Sequence, residues 1–366
     1  MTFQRTVLAG AALIGLLAVG AAKAQTVEVY AEMAEGPGNV AVTPDGRVIA
    51  SLHQFYEPEN RVVEVMPDGS VRPYPTAGWS GPVGPDGVGF DAVLGVRADR
   101  NGGVWMLDNG RLSGDVAKLV VWDSRDDSLE RVVYLPFPAS IDGSFQNDIA
   151  LDLDHDTVFF ADPAKGSNAA LVVLDLKTGF ARRVLQGHTS VVPEDVSAVV
   201  EGQPLTVIRD GKPVEPRVGV NPISIDPSSA WLYYGPMSGT SLYRIRTADL
   251  RDASLSDEEL AARVERYGDK PPSAGITVDS AGNVYVADVG AKAVGVTAAD
   301  GSYRVWAQDD TLLNWPDGLS FGPDGYVYVT VNQLHRSALF RGGEDMRVPP
   351  YYIVRIKGIA PSSVGR

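Results

Sequence analysis

The 366 residues contain no cysteine. A disulfide framework and thiolate catalysis are both excluded. Histidine is nearly as scarce. His53, His155, His188 and His335 lie far apart, without ligand spacing, and no His-Glu-x-x-His occurs. Each reads as a structural residue, with His335 standing after a strand and toward a channel mouth. Basic residues are in deficit. The 32 Lys and Arg against 46 Asp and Glu leave a net charge of −14, which argues against a phosphate-binding surface and against nucleic acid as a partner. What the chain does have is apolar side chain, 44% of its residues, alongside 39 Gly and 25 Pro. That is enough for a packed core, so disorder is excluded.

The first 24 residues read as a cleavable signal peptide. Arg5 supplies a positive start, Val7 to Ala22 an apolar run, and Ala22-Lys23-Ala24 the small-x-small cleavage site. The run is short for a membrane anchor. Cleavage before Gln25 leaves a mature chain of charge −16, because the segment holds Arg5 and Lys23 and no acid. No later stretch is long enough to cross a bilayer. The expected location is the periplasm or the exterior, without stable membrane insertion.

A repeat organises the remainder: an apolar-small-apolar triplet, a turn, then a partner strand rich in Val, Tyr and Trp. The triplets are Val40-Ala41-Val42, Leu94-Gly95-Val96, Ile149-Ala150-Leu151, Ile223-Ser224-Ile225, Ile276-Thr277-Val278 and Leu319-Ser320-Phe321. Their third positions are separated by 54, 55, 74, 53 and 43 residues, the size of a four-stranded unit with loops. Alternating β-branched and aromatic residues broken by Asp-Gly turns are hairpin signals. The reading is all-β: a six-bladed β-propeller forming one domain over residues 25–366. The middle residue is small because inner strands crowd the axis. Val27-Glu28-Val29 and the segment 352–356 are expected to share a blade and close the ring.

Two stretches depart from the repeat. The 74-residue interval carries an extra hairpin, with strands at 205–208 and 213–214. Thr247 to Gly268 holds a capping box at Ser256-Asp257-Glu258-Glu259, which predicts one helix of roughly ten residues. Gly318-Leu319-Ser320-Phe321-Gly322 matches a hydrolase nucleophile string, but Ser320 is the small middle residue of an inner strand and not an elbow. It reads as packing.

The candidate chemistry lies just before the inner strands. Four residues ahead of each third position stand Gly38, Ala92, Asn147, Asn221, Ala274 and Asp317. Repeats in phase place these on one mouth of the axial channel. Asn147, Asn221 and Asp317 bring oxygens there, and Glu35, in Glu35-Gly36-Pro37, reaches the same place, with Asp91 and Asp148 nearby. Two amide carbonyls and two carboxylates suit a hard divalent cation such as Ca²⁺, completed by water. Asn and Asp before a strand also suit Asx-turns.

Leu94-Gly-Val-Arg-Ala-Asp99, Gly103-Val-Trp-Met-Leu-Asp-Asn-Gly-Arg111, Asn147-Asp-Ile-Ala-Leu-Asp152, Trp315-Pro-Asp-Gly318 and Asn332-Gln-Leu-His-Arg336 together resemble the major royal jelly protein/yellow family, in a bacterial member. That family is related to the SMP-30/gluconolactonase propellers, which hydrolyse lactones with a divalent metal. The resemblance implies metal ligands at Glu35, Asn147, Asn221 and Asp317, with Asp317 also assisting water attack. It also implies an alternative, a yellow-like small-molecule-binding or tautomerase-like protein that hydrolyses nothing.

Overall fold

The computed structural model describes residues 25–365; the predicted signal segment 1–24 lies outside them. Six four-stranded antiparallel sheets succeed one another around a central axis. Their inner strands are Pro37–Val42, Val93–Ala98, Asp148–Asp152, Val220–Ile225, Ser273–Val278 and Pro316–Phe321, which open blades 1 to 6 in that order. The triplets found in the sequence fall on these strands.

Blade 6 is completed from both ends of the chain. Pro316–Phe321, Tyr326–Val331 and Tyr351–Lys357 are joined by the N-terminal strand Glu28–Met33, which runs antiparallel to Tyr351–Lys357 with Glu28 opposite Arg355 and Met33 opposite Tyr351. The predicted closure is present, and it removes the open edge a five-and-a-half-blade ring would expose.

The core lies between the blades. Each junction has its own apolar cluster, such as Ala41, Ile49, Val96 and Met106 between blades 1 and 2, and Tyr233, Leu242, Ile276 and Val286 between blades 4 and 5. Every residue of the inner strands of blades 1, 2, 3 and 5 is buried. The small triplet residue has the steric reason anticipated. A Cβ on Gly95 of blade 2 would stand 2.8 Å from the Asn147 carbonyl oxygen ahead of blade 3, closer than side chains tolerate. Ser320 is fully buried, and its Oγ accepts a hydrogen bond from the Val42 amide of blade 1 at 3.2 Å.

Two predicted details change. The single ten-residue helix is two short ones, Thr247–Arg251 and Asp257–Ala261. Between them Asp252 turns its carboxylate onto the Ser254 amide and hydroxyl, a local bond that competes with helix continuation. The capping box stands: Ser256 accepts from the Glu259 amide, and Glu259 accepts from the Ser256 amide. The long insertion holds two hairpins. Val207–Arg209 pairs with Lys212–Val214 near the predicted place, and Val199–Val200 pairs with Gln203–Pro204 before it. The second pair escaped notice because two-residue strands carry no period.

Candidate metal centre at the channel mouth

The inner strands share one irregularity. In blades 1, 2, 4, 5 and 6 the pairing with the second strand shifts register near its start, between Pro37 and Val40, Val93 and Val96, Val220 and Ile223, Ser273 and Ile276, and Pro316 and Leu319. A bulge leaves residues out of the ladder and re-aims their side chains. Asn221 and Asp317 lie inside such bulges. In blade 3 the register is regular, and Asn147 stands immediately ahead of it, its amide donating to the Ala161 carbonyl at 2.9 Å. Glu35 precedes the inner strand of blade 1. All four residues therefore sit at the same end of their blades.

Glycine makes the close approaches possible. A Cβ on Gly36 would lie 2.3 Å from Cε2 of Tyr56, so the Glu35-Gly36-Pro37 segment can pass beneath that ring only as glycine. A Cβ on Gly318 would stand 2.6 Å from the Asn39 Cα, and one on Gly275 2.2 Å from the Asp317 carbonyl oxygen. The backbones of blades 5, 6 and 1 are thus in direct contact beside Asp317.

The oxygen atoms at this end of the ring are poorly satisfied. The side-chain carbonyl oxygens of Asn147 and Asn221 are buried and accept no hydrogen bond. Orphaned buried acceptors are costly, and Asx-turn capping, which would have used them, is not made. Burial pushes the Asp317 carboxyl up to about 7; the Asn332 amide opposes this, and repulsion from Asp148 adds to it. Glu35 is exposed, and its carboxyl is held above the usual range by partial desolvation and by Glu59. Two neutral oxygens lacking donors and two carboxylates reluctant to ionise alone are what a cation would relieve. Among the described residues, no three His, Cys, Asp or Glu side chains group as metal ligands, so a cation here relies on the amide carbonyls.

Asp91 and Asp148, named as neighbours, are committed elsewhere. Asp91 Oδ2 accepts from the Leu112 and Ser113 amides at 2.7 and 3.1 Å. Asp148 is paired with Arg97 and Asn39. Arg97 and Asn332 were not singled out by sequence reasoning. The signal for Arg97 was a lone charge in an otherwise apolar strand. Asn332 stands in the string Asn332-Gln-Leu-His-Arg336 that carries the family resemblance, with no period to mark its partner.

The rest of the mouth is uneven. Ala274, in phase with the oxygen-bearing residues, carries none. It lies instead in an apolar cluster with Val289, Trp315 and Leu334, joined by Ala198, Val200 and Leu205 of the long insertion. The insertion thus roofs the sector of blades 5 and 6. Its turn residue Glu201 meets Lys292 at 3.1 Å, His335 at 3.4 Å and Arg341 at 3.6 Å, and pairs with Arg336. Partial burial works against ionisation, but hydrogen bonds from Arg336 and Lys292 bring its pKa down to about 2. His335 stacks on Trp315 and is lowered by burial to about 4. On the side of blades 1 to 3, Phe55 stacks on Phe145, and the Arg111 guanidinium lies 4.6 Å from the centre of the Phe145 ring.

The family model described as Major royal jelly protein matches residues 92–344. Major royal jelly protein 1 of Apis mellifera is 22% identical across 66% of this chain, and the match spans only 57% of that protein. Among solved structures, a calcium-binding protein, regucalcin, of Agrobacterium tumefaciens superposes with a TM-score of 0.55 at 12% identity, covering 93% of this chain and 98% of that one. A gluconolactonase of Xanthomonas campestris gives a TM-score of 0.53 at 12% identity, covering 91% and 89%. At that identity the likeness is one of fold.

Proposed function

Because the chain belongs to the major royal jelly protein family, and its propeller gathers oxygen donors at one mouth, we propose that it is an exported, divalent-cation-dependent hydrolase of a small lactone. The observation that carries this is the pair of buried, unpartnered amide oxygens of Asn147 and Asn221, residues at the same end of their blades as Asp317. Glu35, Asn147, Asn221 and Asp317 would hold the cation, with Ca²⁺ best matched to this set. Bound there, it supplies a Lewis acid for a lactone carbonyl.

The chain's own residues do the rest. Asn332 Nδ2 donates to Asp317 Oδ2 at 2.7 Å, so Asp317 accepts the proton of an attacking water at Oδ1. The Trp315–Leu334 sector keeps bulk water from one side. The regucalcin and gluconolactonase folds are consistent with this reading.

The test is metal analysis and Ca²⁺ titration of the mature protein, followed by a panel of small lactones. Stoichiometric Ca²⁺ with turnover that chelator abolishes supports it. N-terminal sequencing of protein recovered outside the cytosol, starting at Gln25, supports the export part. The Phe55, Phe145 and Arg111 group favours a second reading, a binder or tautomerase-like protein for a small aromatic or anionic molecule. Stoichiometric metal without lactone turnover would select it.

A further inference from the structure

The string Asn332-Gln333-Leu334-His335-Arg336 follows the second strand of blade 6, and the function proposed above uses only one bond of its first residue. Asn332 is fully buried and bonded at every polar group. Its Nδ2 donates to Asp317 Oδ2 at 2.7 Å and to the Pro37 carbonyl at 3.0 Å. Its Oδ1 accepts from the Leu334 amide at 3.0 Å. Its own amide donates to the Trp315 carbonyl at 3.3 Å, and its carbonyl accepts from the Tyr56 hydroxyl at 2.8 Å.

Pro37 is two residues from Glu35, and Trp315 is two residues from Asp317. Tyr56 is the ring against which Gly36 packs. One side chain therefore grips both carboxylate-bearing segments, which belong to different blades and are some 280 residues apart in sequence. We infer that Asn332 is a positioning residue: it fixes Asp317 against the Glu35–Pro37 segment and reserves Oδ2, so that a single carboxylate oxygen is presented to the mouth. The inference rests on the cation-site reading for its consequence, but the clamp itself is independent of any cation.

Gln333 provides the internal control. Its amide makes a comparable clamp, donating to the Val348 carbonyl at 2.7 Å and accepting from the Val348 amide at 3.0 Å. That clamp holds the 348–350 loop and touches neither carboxylate.

The experiment compares Asn332→Ala, Asn332→Asp and Gln333→Ala in the mature protein, by calorimetric titration with Ca²⁺ and by crystal structures grown in chelator. Asn332→Asp keeps the size and the acceptor for Leu334 while setting a like charge against Asp317, so it covers the case in which the alanine variant does not fold. Both Asn332 variants should shift the Asp317 carboxylate in the chelator structures. Asn332→Ala should weaken Ca²⁺ binding by about tenfold or more, the usual effect of losing a residue that orients a ligand. Gln333→Ala should leave the affinity unchanged. In an Asp317→Asn background, Asn332→Ala should have a much smaller effect on Ca²⁺ binding, because its partner's charge is already gone. An unmoved Asp317 in the chelator structures of the folded Asn332 variants overturns the inference; so does an equal loss of affinity in Gln333→Ala. A wild-type protein that binds no Ca²⁺ ends the cation reading, and the chelator structures then decide the clamp alone.

Discussion

Arg97 of blade 2 meets Asp148 of blade 3 at 2.8 Å, with side chains only 4% and 5% exposed. Asn39 of blade 1 completes the contact, donating to Asp148 Oδ1 at 3.2 Å and accepting from Arg97 at 3.0 Å. Three consecutive blades are thus joined at their inner strands. Burial holds the Asp148 carboxyl above its usual range, with Arg97 opposing. Arg97→Met leaves that carboxyl buried and unpaired. We expect a loss of about 3–5 kcal/mol in urea unfolding. Adding Asp148→Asn should restore a large part of it.

Asp317 gives a pH dependence with a definite sign. Its folded pKa, about 7, lies above the ordinary aspartate value of 3.8. The folded state therefore binds the proton more tightly than the unfolded chain. The resulting stability is complete below about pH 4 and is lost as pH rises through 7. In chelator, the unfolding free energy attributable to this group should fall by about 2–4 kcal/mol between pH 4 and pH 8. Asp317→Asn should flatten that component. Saturating Ca²⁺ should offset it at pH 8 by binding the native state. A slope unchanged in Asp317→Asn would assign the effect elsewhere.

Glu201 sits where a short hairpin is tied to blades 5 and 6 by the cations of Lys292, Arg336 and Arg341, with His335 alongside. Glu201→Gln keeps the shape and removes the charge. Hydrogen exchange across 195–206 should quicken by about tenfold, corresponding to 1–2 kcal/mol of local stability, while the blade strands keep their protection. High salt should produce part of the same change in the wild type.

Ser320 tests the decoy nucleophile. Its Oγ is fully buried and accepts from the Val42 amide. Ser320→Ala should cost about 1 kcal/mol of stability and leave any lactone hydrolysis intact. Loss of turnover in a folded Ser320→Ala protein would contradict the packing role.

The propeller was legible because its signals are local. Period-two strands, Asp-Gly turns and a small residue in each triplet repeat along the chain, and blades 1 to 5 are each built from contiguous segments. Even the closing strand could be anticipated from its place before the first triplet. The phase argument placed Asn147, Asn221 and Asp317 at or just ahead of the starts of their inner strands for the same reason, since repeats in register share one end of the ring. Glu35 stands ahead of the inner strand of blade 1, as its place in the chain implies.

The partners of those residues are a different matter. Asn332 touches Asp317 across a hairpin and Pro37 across the whole chain, and Arg97 finds Asp148 in the next blade; no sequence period encodes either meeting. The bulges that turn Asn221 and Asp317 out of the ladder arise from pairing between strands. The roof over Ala274 comes from an insertion whose hairpins are too short to carry a pattern. Local alternation decides which strands form and where each blade begins. Which oxygens stay unpaired is decided by the packing of each blade on its neighbours, and the buried amide that spans Asp317 and Pro37 does so only when ring closure brings the first and last blades together.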